Sequence, residues 1–474
     1  MSDRPFQYRR LRGAPAPLAL YRALYDGDRY GFIYESLEAR GTRGRYSFLG
    51  GRPARVLRSF GREVTIEEAH GTREYHGDPL DLLRDLLRSG PTALPFATFP
   101  GGAVGYLGYD LVRFNAPLPH PNPDDLGLPE SFLLFPDELI VVDHLDEVVH
   151  LVSYDGAGRL ERMEAAIAGL DDGDDAPDVF ETPPDDARPS YRSNRTKEEF
   201  EESVRRAQRH IRRGDIFQAV LSQRLEFDLP ARPLDLYAAL RRTNPSPYMY
   251  YLNLDGLELA GSSPEVLVKL TGRRVVTRPL AGTRPRGATG VLDRRLAEEL
   301  LADEKERAEH VMLVDLARND VGRDCVPGSV RVGDYMQVER YSRVMHLVSN
   351  VSARLRDDRD AIDLFRSCFP AGTVSGAPKV RAMQIIDDLE PLRRGPYAGA
   401  IGYFSYLGDM DLCIAIRTLV CHRGKGYVQA GAGIVADSVP HLEYQETLNK
   451  TRGLLDSLAL VSRHASPAGR TPVG

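Results

Sequence analysis

The sequence predicts an α+β fold in which helices and strands form separate layers. Amphipathic helical patterns and short apolar strand patterns occur along the chain, but they do not alternate strictly as in a doubly wound parallel sheet. Hydrophobic residues make up 42% and charged residues 27% of the 474 residues, close to the globular averages of roughly 45–50% and 25%. We therefore expect a folded protein of about two or three domains.

The first part of the chain is rich in predicted strands. Phe132–Phe135 and Leu139–Val142 are short apolar runs flanked by Pro and Asp, which is typical of buried strands. Leu80–Leu87 has the pattern of an amphipathic helix. Gly102–Tyr109 resembles Gly399–Tyr406, and both patterns indicate glycine-containing strands against which another backbone packs closely. This similarity hints at two related sheets.

The second part begins with a helix signal. Thr196 and Glu199 have the spacing of a capping box, apolar residues then recur at intervals of three and four, and Gly214 ends the pattern. The run Ile216–Leu225 that follows predicts a strand. This order of elements continues the mixed α+β pattern.

An acidic, proline-containing segment divides the chain. Residues 171–190 carry eight acidic side chains against one Arg, so they predict a linker or a long surface loop. We therefore expect an N-terminal region at 1–170, a second region at 191–462 and a flexible tail at 463–474.

Charge and cysteine usage exclude several classes. The 62 basic and 68 acidic residues give a net charge of −6, which disfavours a nucleic-acid or anionic-membrane binder. The four cysteines form no CxxC pair, so neither a zinc ribbon nor a disulfide framework is indicated, and a reduced, cytoplasmic setting fits. The N-terminus lacks the apolar core of a signal peptide, and no apolar run reaches the roughly 20 residues of a membrane span.

Two pairs of glutamates are candidate metal ligands. Glu306 and Glu309 lie in one helical pattern and Glu443 and Glu446 in another, and a spacing of three puts each pair on one helix face. Carboxylates on two facing helices suit Mg²⁺, which takes one or two carboxylates together with water and substrate oxygens. The alternative is a solvated charged surface. Lys450 lies on the same face as Glu443, where it pairs with a substrate carboxylate or with Glu446.

Other features point to anion binding. Phe369–Lys379 and Gln429–Val435 are glycine-rich and permit close approach of the backbone, but neither matches a phosphate-loop or dinucleotide motif. Arg417 lies in a strand-like apolar run, where its partner is either a substrate carboxylate or an internal acid. His346 has a similar apolar setting and is either a general acid or base or a hydrogen-bonded core residue.

Taken together, these motifs resemble those of the chorismate-utilising enzymes, and most of all the large subunits of anthranilate synthase. Weaker matches at residues 34–38, 45–50 and 99–110 extend the resemblance into the first part. The stretches that carry it are Asn244–Met249, Gly261–Glu265, Arg278–Gly287, Asp303–Gly322, Phe369–Lys379, Gly431–Ser438 and Glu443–Lys450.

The resemblance implies a large αββα sandwich of two facing sheets with helices outside. It also implies Mg²⁺ held by Glu309 and Glu446, with Glu306 and Glu443 contributing directly or through water. The metal would bind the ring carboxylate of chorismate. Substrate carboxylates are implied to be held by Arg417, Tyr397, Thr373 and the backbone of Gly431, Ala432 and Gly433. Gly282 and Thr283 are implied to lie beside the ring, and Lys450 on the metal side.

Three residues are implied to act in catalysis, namely His346, Gln218 and Thr373. Isochorismate and salicylate synthases carry a lysine base where this chain has Gln218, and a water nucleophile is therefore disfavoured. Many aminodeoxychorismate synthases carry a nucleophilic lysine where this chain has Ala281. The resemblance thus implies that ammonia attacks chorismate to give 2-amino-2-deoxyisochorismate, from which elimination yields anthranilate and pyruvate.

The resemblance further implies a separate glutamine amidotransferase subunit that supplies ammonia, in a hetero-oligomer, and feedback inhibition by L-tryptophan bound at Ser36 and Pro247-Tyr248-Met249. The usual Leu-Leu-Glu-Ser motif here reads Ile33-Tyr34-Glu35-Ser36, so the inhibitor contacts are expected to differ. Two alternatives remain open. One is an aminodeoxychorismate synthase component without the lysine, and the other is a non-catalytic amino-acid sensor.

Overall fold

The computed structural model describes residues 6–13, 15–37, 44–88, 90, 99–118, 121–170, 188–341 and 344–465. Most of the predicted acidic linker, at 171–187, and the last residues of the predicted tail, at 466–474, lie outside these ranges. Within them, no helix is long and apolar enough to cross a membrane.

The strands in the described residues are β1 Gln7–Arg12, β2 Tyr30–Glu35, β3 Tyr46–Phe60, β4 Glu63–Glu68, β5 Gly71–His76, β6 Gly102–Leu107, β7 Ser131–Asp143, β8 Val148–Ser153, β9 Arg192–Ser193, β10 Gln218–Asp228, β11 Tyr248–Leu254, β12 Leu257–Ser263, β13 Val266–Thr271, β14 Arg274–Thr277, β15 Leu280–Pro285, β16 Arg331–Arg340, β17 Val344–Arg354, β18 Gly376–Ala377, β19 Ala400–Ser405, β20 Met410–Ile414, β21 Thr418–His422 and β22 Lys425–Ile434. The α-helices in the same residues are α1 Pro17–Tyr25, α2 Pro79–Leu87, α3 Ala157–Ala168, α4 Lys197–Arg212, α5 Pro233–Thr243, α6 Gly290–Ala302, α7 Glu304–Gly322, α8 Ala361–Cys368, α9 Lys379–Leu389 and α10 Pro440–Ala465.

The strands form two antiparallel sheets that share the two long strands β3 and β7. The first runs β1-β8-β7-β3-β2-β11-β12-β21-β22-β10, and the short β9 and β18 also pair with β10. The second runs β5-β4-β3-β7-β6-β19-β20-β13-β14-β17, with β15 and β16 also paired to β17. The long strands β3 and β7 pass through both sheets, and the register of their pairing shifts between Pro53 and Arg55. This irregularity marks the place where one sheet continues into the other.

The apolar side chains show how the layers are stacked. Phe32 and Tyr250 of the first sheet share one buried cluster with Val104 and Ile401 of the second, so the two sheets face each other. Adjacent residues on the same strands point outwards, because side chains alternate along a strand. Ile33, for example, packs in a cluster with residues of α1, α3, α5 and α10.

The outer face of the second sheet is covered in the same way. Leu133 and Phe404 share a cluster with Leu83 of α2, Phe365 of α8 and Met383 of α9. The molecule is therefore an αββα sandwich, and the predicted fold class is confirmed.

The two parts of the chain are interleaved in these sheets. Strand β2 of the first part pairs with β11 of the second, and β6 pairs with β19. The two similar glycine-containing segments seen in the sequence are thus neighbours in one sheet, not equivalent strands of two sheets. Gly105 lies opposite Gly402, and a Cβ at either position would meet a carbonyl oxygen at 2.0 Å.

Several predicted elements appear with small changes. Helix α4 begins with both hydrogen bonds of the capping box formed by Thr196 and Glu199. The two predicted strands at 132–142 are one continuous strand, β7, because Pro136 is accommodated at the irregularity with β3. Helix α10 extends to Ala465 and so includes the first residues of the predicted tail.

Candidate active site

A cavity of about 710 Å³ lies between β10 and β22 of the first sheet and β15 and β17 of the second. Helices α7 and α10 contribute its remaining walls. Its volume is within the range of small-molecule sites. Of the residues predicted from the sequence to act in catalysis or to bind metal or substrate, all but one line this cavity: Gln218, Gly282, Thr283, Glu306, Glu309, His346, Thr373, Tyr397, Arg417, Gly431, Gly433, Glu443, Glu446 and Lys450.

The exception is Ala432, which is completely buried. Side chains alternate along β22, so Gly431 and Gly433 face the cavity while Ala432 packs with Phe200 of α4 on the other side of the sheet. Glycine at both positions allows neighbouring side chains to approach the backbone of β22 closely. A Cβ at Gly431 would lie 2.7 Å from the Tyr397 hydroxyl, and one at Gly433 would lie 2.4 Å from Gln218 Nε2.

The four glutamates form a carboxylate wall. Burial raises the pKa of Glu309, and the neighbouring carboxylates of Glu306 and Glu446 raise it further. Burial also raises the pKa of Glu443, again with a contribution from Glu446. The negative charges of the two helices therefore repel one another across the cavity, as the predicted spacing on two facing helices requires.

Basic side chains already approach this wall. Lys450 Nζ lies 2.7 Å from Glu446 Oε1 and donates to the Gly431 carbonyl at 2.9 Å. Arg284 Nη1 lies 3.1 Å from Glu306 Oε1. Among the residues that the structure describes, no group of three or more His, Cys, Asp or Glu side chains is placed to hold a metal ion. The donor set is nevertheless entirely of oxygen, the ligand chemistry that a hard divalent cation prefers.

Gln218 lies beside the carboxylate wall at the start of β10. Its Nε2 donates to Glu309 Oε1 at 3.3 Å. Its Oε1 is buried and has no hydrogen-bond partner in the described part of the chain. An amide oxygen accepts but cannot donate a hydrogen bond, so this atom is an open acceptor in the cavity.

A second wall carries His346, which is almost completely buried on β17. Its Nδ1 lies 2.9 Å from the Gly282 carbonyl oxygen and 3.2 Å from Thr283 Oγ1. A carbonyl only accepts, so Nδ1 carries the proton and Nε2 is the basic nitrogen. Burial, with a smaller effect from Arg417, lowers the pKa of His346 to about 4. The imidazole is therefore neutral at pH 7.

Arg417 is held in an unusual backbone conformation. The strand-like run predicted around it is divided into β20 and β21, and Arg417 lies in the break with a φ of 50°. Burial lowers the pKa of the guanidinium, an effect that Tyr341 and Glu265 partly offset. No acid forms an ion pair with Arg417 within the described ranges. This leaves the guanidinium open to a carboxylate in the cavity.

Glu265 is a cavity residue to which sequence analysis gave no role. It lies between β12 and β13, is 7% exposed, and accepts a hydrogen bond of 3.0 Å from Thr373 Oγ1. Burial raises the pKa of this carboxyl to about 8. It is therefore largely protonated at pH 7 and can donate a proton. The available signal was an acid placed directly before the apolar run of β13.

The four residues predicted to bind an inhibitor lie together at the ends of β2 and β11. Glu35 lies opposite Met249, and the Leu37 N–H donates to the Ser246 carbonyl at 3.0 Å, which brings Ser36 beside Pro247 and Tyr248. None of the four lines the large cavity, but its wall includes the preceding residues at 244–245.

Tyr34, which departs from the motif expected for inhibitor binding, makes a specific hydrogen bond. Tyr34 replaces the usual Leu, and its hydroxyl donates to the Gly402 carbonyl at 2.9 Å, so it reaches across to the facing sheet. Tyr248 makes a similar link, because its hydroxyl donates to Asp411 Oδ1 at 2.8 Å. This cleft is therefore tied to both sheets.

Comparison with known proteins agrees with this geometry. The family model described as chorismate binding enzyme matches residues 32–456. Anthranilate synthase component 1 of Acetivibrio thermocellus is 46% identical over 459 residues, covering 93% of this chain and 92% of that protein. The crystal structure of anthranilate synthase component I from Streptococcus pneumoniae TIGR4 is 37% identical, with a TM-score of 0.77, and the match covers 87% of this chain and 92% of that one.

The menaquinone-specific isochorismate synthase of Escherichia coli has the same fold. It is 21% identical, with a TM-score of 0.71, over 96% of this chain and 95% of that one. The chain therefore belongs to the chorismate binding enzyme family. Its similarity over nearly full length to anthranilate synthase component 1 confirms the prediction that it is an enzyme of that group.

Proposed function

We propose that the protein converts chorismate and ammonia to anthranilate and pyruvate, the first committed step of tryptophan biosynthesis. The observation that carries the proposal is the cavity itself, which brings together a carboxylate wall, a neutral His346 and a protonated Glu265. The names of the relatives point to the same reaction.

Mg²⁺ is the proposed cofactor, since the wall offers only oxygen donors whose negative charges repel one another. Glu309 and Glu446 would hold it, with Glu306 and Glu443 contributing directly or through water. When bound, the cation supplies the positive charge that a substrate carboxylate needs next to these glutamates.

The chain's own residues bind and orient the substrate. Arg417 and the Tyr397 hydroxyl are proposed to bind a carboxylate, together with the backbone of Gly431 and Gly433. Gly282 and Thr283 lie beside the ring. An arginine is suited to this role because its planar fork of N–H donors matches a carboxylate.

We assign the proton transfers from the charge states of Glu265 and His346. Glu265 donates its proton to the ring hydroxyl, which leaves as water while ammonia adds to the ring. Loss of one proton from the added ammonium group, which restores the proton of Glu265, gives 2-amino-2-deoxyisochorismate. His346 Nε2 then accepts the ring proton as the C–O bond to the enolpyruvyl group breaks and the ring becomes aromatic. The released enolpyruvate takes up a proton on its methylene carbon to become pyruvate.

The choice of ammonia over water is assigned to Gln218. Unlike a lysine amine, its amide has no basic nitrogen that can deprotonate water, and its open Oε1 can accept an N–H of ammonia. Ala281 also lines the cavity and offers no amine for a covalent intermediate. The remaining alternative is an aminodeoxychorismate synthase component that lacks the lysine.

Product analysis tests the proposal. We expect the purified chain, given chorismate, MgCl₂ and an ammonium salt, to form fluorescent ortho-aminobenzoate and pyruvate in equal amounts. Accumulation of 4-amino-4-deoxychorismate without pyruvate would instead support the alternative, and isochorismate would contradict the role of Gln218. Mass spectrometry distinguishes the three products.

A glutamine amidotransferase small subunit is the proposed ammonia source. The sequence contains no cysteine in a recognisable glutaminase setting. The isolated chain should therefore use ammonium salts but not glutamine. Glutamine-dependent product from the pure chain would contradict this partner.

Feedback inhibition by L-tryptophan is proposed for the cleft formed by Ser36 and Pro247–Met249. Asn244 and Pro245 join this cleft to the cavity wall, so an occupant there can alter the shape of the cavity. The chain contains no tryptophan, so added L-tryptophan can be followed by its own fluorescence. Calorimetry that showed no binding would remove the regulatory role and leave the catalytic one.

A further inference from the structure

Helix α7 carries cavity residues on one face and core residues on the adjacent one. Glu306 and Glu309 line the cavity, whereas His310, Val314 and Val321 are buried against the second sheet and its neighbours. His310 is completely buried, although a leucine would extend the apolar stripe of this face. Burying a polar ring is unfavourable unless a hydrogen bond compensates.

That hydrogen bond is made to the strand that carries His346. His310 Nε2 lies 2.7 Å from Ser349 Oγ on β17. Nδ1 of the same ring has no partner among the described residues. The ring is thus held at one point, Ser349, which lies three residues from the cavity residue His346 on the same strand.

Strand β16 is distorted so that it supports the same serine. The register of its pairing with β17 shifts between Gly333 and Gln337. Within this irregular stretch, the Met336 N–H donates to Ser349 Oγ at 2.9 Å. Asp334 and Met336 have φ values of 42° and 54°, a left-handed conformation that costs about 1 kcal/mol or more for a residue other than glycine. Ser349 Oγ thus accepts from Met336 and is also hydrogen-bonded to His310 Nε2, so that one hydroxyl joins β16 and α7 to β17.

We propose that His310 is a positioning residue, which fixes the axial position of α7 on β17 and thereby the placement of Glu309 for binding a divalent cation. Apolar contacts along the rest of this face are non-directional and tolerate a small slide of the helix. A hydrogen bond loses strength steeply when its angle or length changes. The proposal rests on the proposed function only in taking Mg²⁺ as the cation.

The test is the substitution His310→Leu in the full chain, with Val314→Ala as the matched control. Val314 lies one turn further along the same buried face, so its truncation weakens packing without removing a directional bond. Mg²⁺ affinity is measured by titration calorimetry in the absence of chorismate, beside the melting temperature. We expect His310→Leu to weaken Mg²⁺ binding by about tenfold or more, the usual effect of removing a group that orients a metal ligand. Val314→Ala should change it less than about twofold, at a comparable loss of melting temperature.

Two further variants keep the test decisive. His310→Gln can still reach Ser349 and should restore most of the Mg²⁺ affinity, whereas Ser349→Ala should reproduce the defect of His310→Leu. The inference is overturned if Mg²⁺ affinity follows melting temperature equally in all four variants, or if His310→Leu leaves it unchanged. Failure of the proposed function would appear separately, as a wild-type chain that binds Mg²⁺ but forms no anthranilate.

Discussion

The two walls of the cavity place glutamates in different surroundings. On the carboxylate wall, Glu446 is about half exposed with Lys450 Nζ 2.7 Å away, whereas Glu309 is partly buried beside Glu306 and Glu446. On the buried wall, Glu265 is enclosed between two strands, and its pKa is raised by burial to about 8. The charge of each glutamate therefore depends on its exposure to water and on the cations beside it.

This contrast divides the chemistry of the cavity. Ionised carboxylates attract a cation and cannot donate a proton, whereas a neutral carboxyl donates a proton and has little attraction for a cation. His346 belongs with the buried wall, because burial lowers its pKa to about 4 and keeps it a neutral base. Substitutions on the buried wall should therefore change turnover, and substitutions on the carboxylate wall should change cation binding.

The largest effect is expected for Glu265→Gln. The amide can keep the hydrogen bond with Thr373 but has no proton to transfer, so kcat should fall by about 10³-fold, within the range for loss of a general acid. Mg²⁺ affinity should stay within about twofold, because this wall does not hold the cation. Steady-state kinetics and calorimetry measure the two quantities. A variant that lost Mg²⁺ affinity but kept kcat would reverse the assignment of the walls.

His346→Ala is expected to lower kcat by about 10²-fold, since solvent or a neighbouring group replaces a general base only in part. Chorismate affinity should change much less, because the imidazole acts on the ring proton and not on the carboxylates. Equilibrium binding of chorismate without ammonia provides the comparison. Unchanged turnover would remove His346 from the mechanism.

Sequence patterns were sufficient to pair the glutamates of the carboxylate wall and to single out His346, but not to predict a role for Glu265. Spacing on a helix fixes which side chains share a face, so Glu306 with Glu309 and Glu443 with Glu446 could be paired without a structure. The same regularity predicted the capped helix α4. A resemblance to known enzymes supplied the αββα arrangement, which local patterns alone gave only as α+β.

The charge state of Glu265 had no such signal, because it depends on strands far apart in sequence that close around one carboxyl. Ala432 illustrates a related limit. The motif Gly431-Ala432-Gly433 was predicted to bind through its backbone, and the prediction did not include that strand alternation turns the Ala432 side chain to the opposite side of β22. Local sequence patterns also did not predict that β3 and β7 pass through both sheets.

The pH dependence of kcat/KM should show both titrating groups of the buried wall in one measurement. Glu265 is active when protonated, so activity should fall by about tenfold per unit as pH rises above about 8. His346 is active when neutral, so activity should fall as pH drops below about 4. Glu265→Gln should remove the alkaline limb and keep the acidic one. An alkaline limb that survives this substitution would belong to another group.

The folding stability of the chain should also depend on pH through the Glu265 carboxyl. The pKa of Glu265 is raised from 4.5 to about 8 on folding, so the folded chain holds a proton that the unfolded chain has lost between these values. Its contribution to folding stability is therefore present below pH 4.5 and decreases as pH rises to about 8. Urea titrations of the wild type and Glu265→Gln at several pH values provide the comparison, and equal pH slopes would contradict the raised pKa.

The smallest effect is expected on the carboxylate wall, for Lys450→Met. Lys450 pairs with Glu446 at 2.7 Å, and with both side chains about half exposed the pair is worth only about 0–1 kcal/mol. Removing the amine frees Glu446, so Mg²⁺ binding without chorismate should strengthen by up to about fivefold. The gain should shrink at high ionic strength, where the competing charge is screened. Lys425→Met, which breaks an exposed pair with Asp228 elsewhere, is the matched control. Weaker Mg²⁺ binding by Lys450→Met would mean that the lysine supports the carboxylate wall instead of competing with the cation for it.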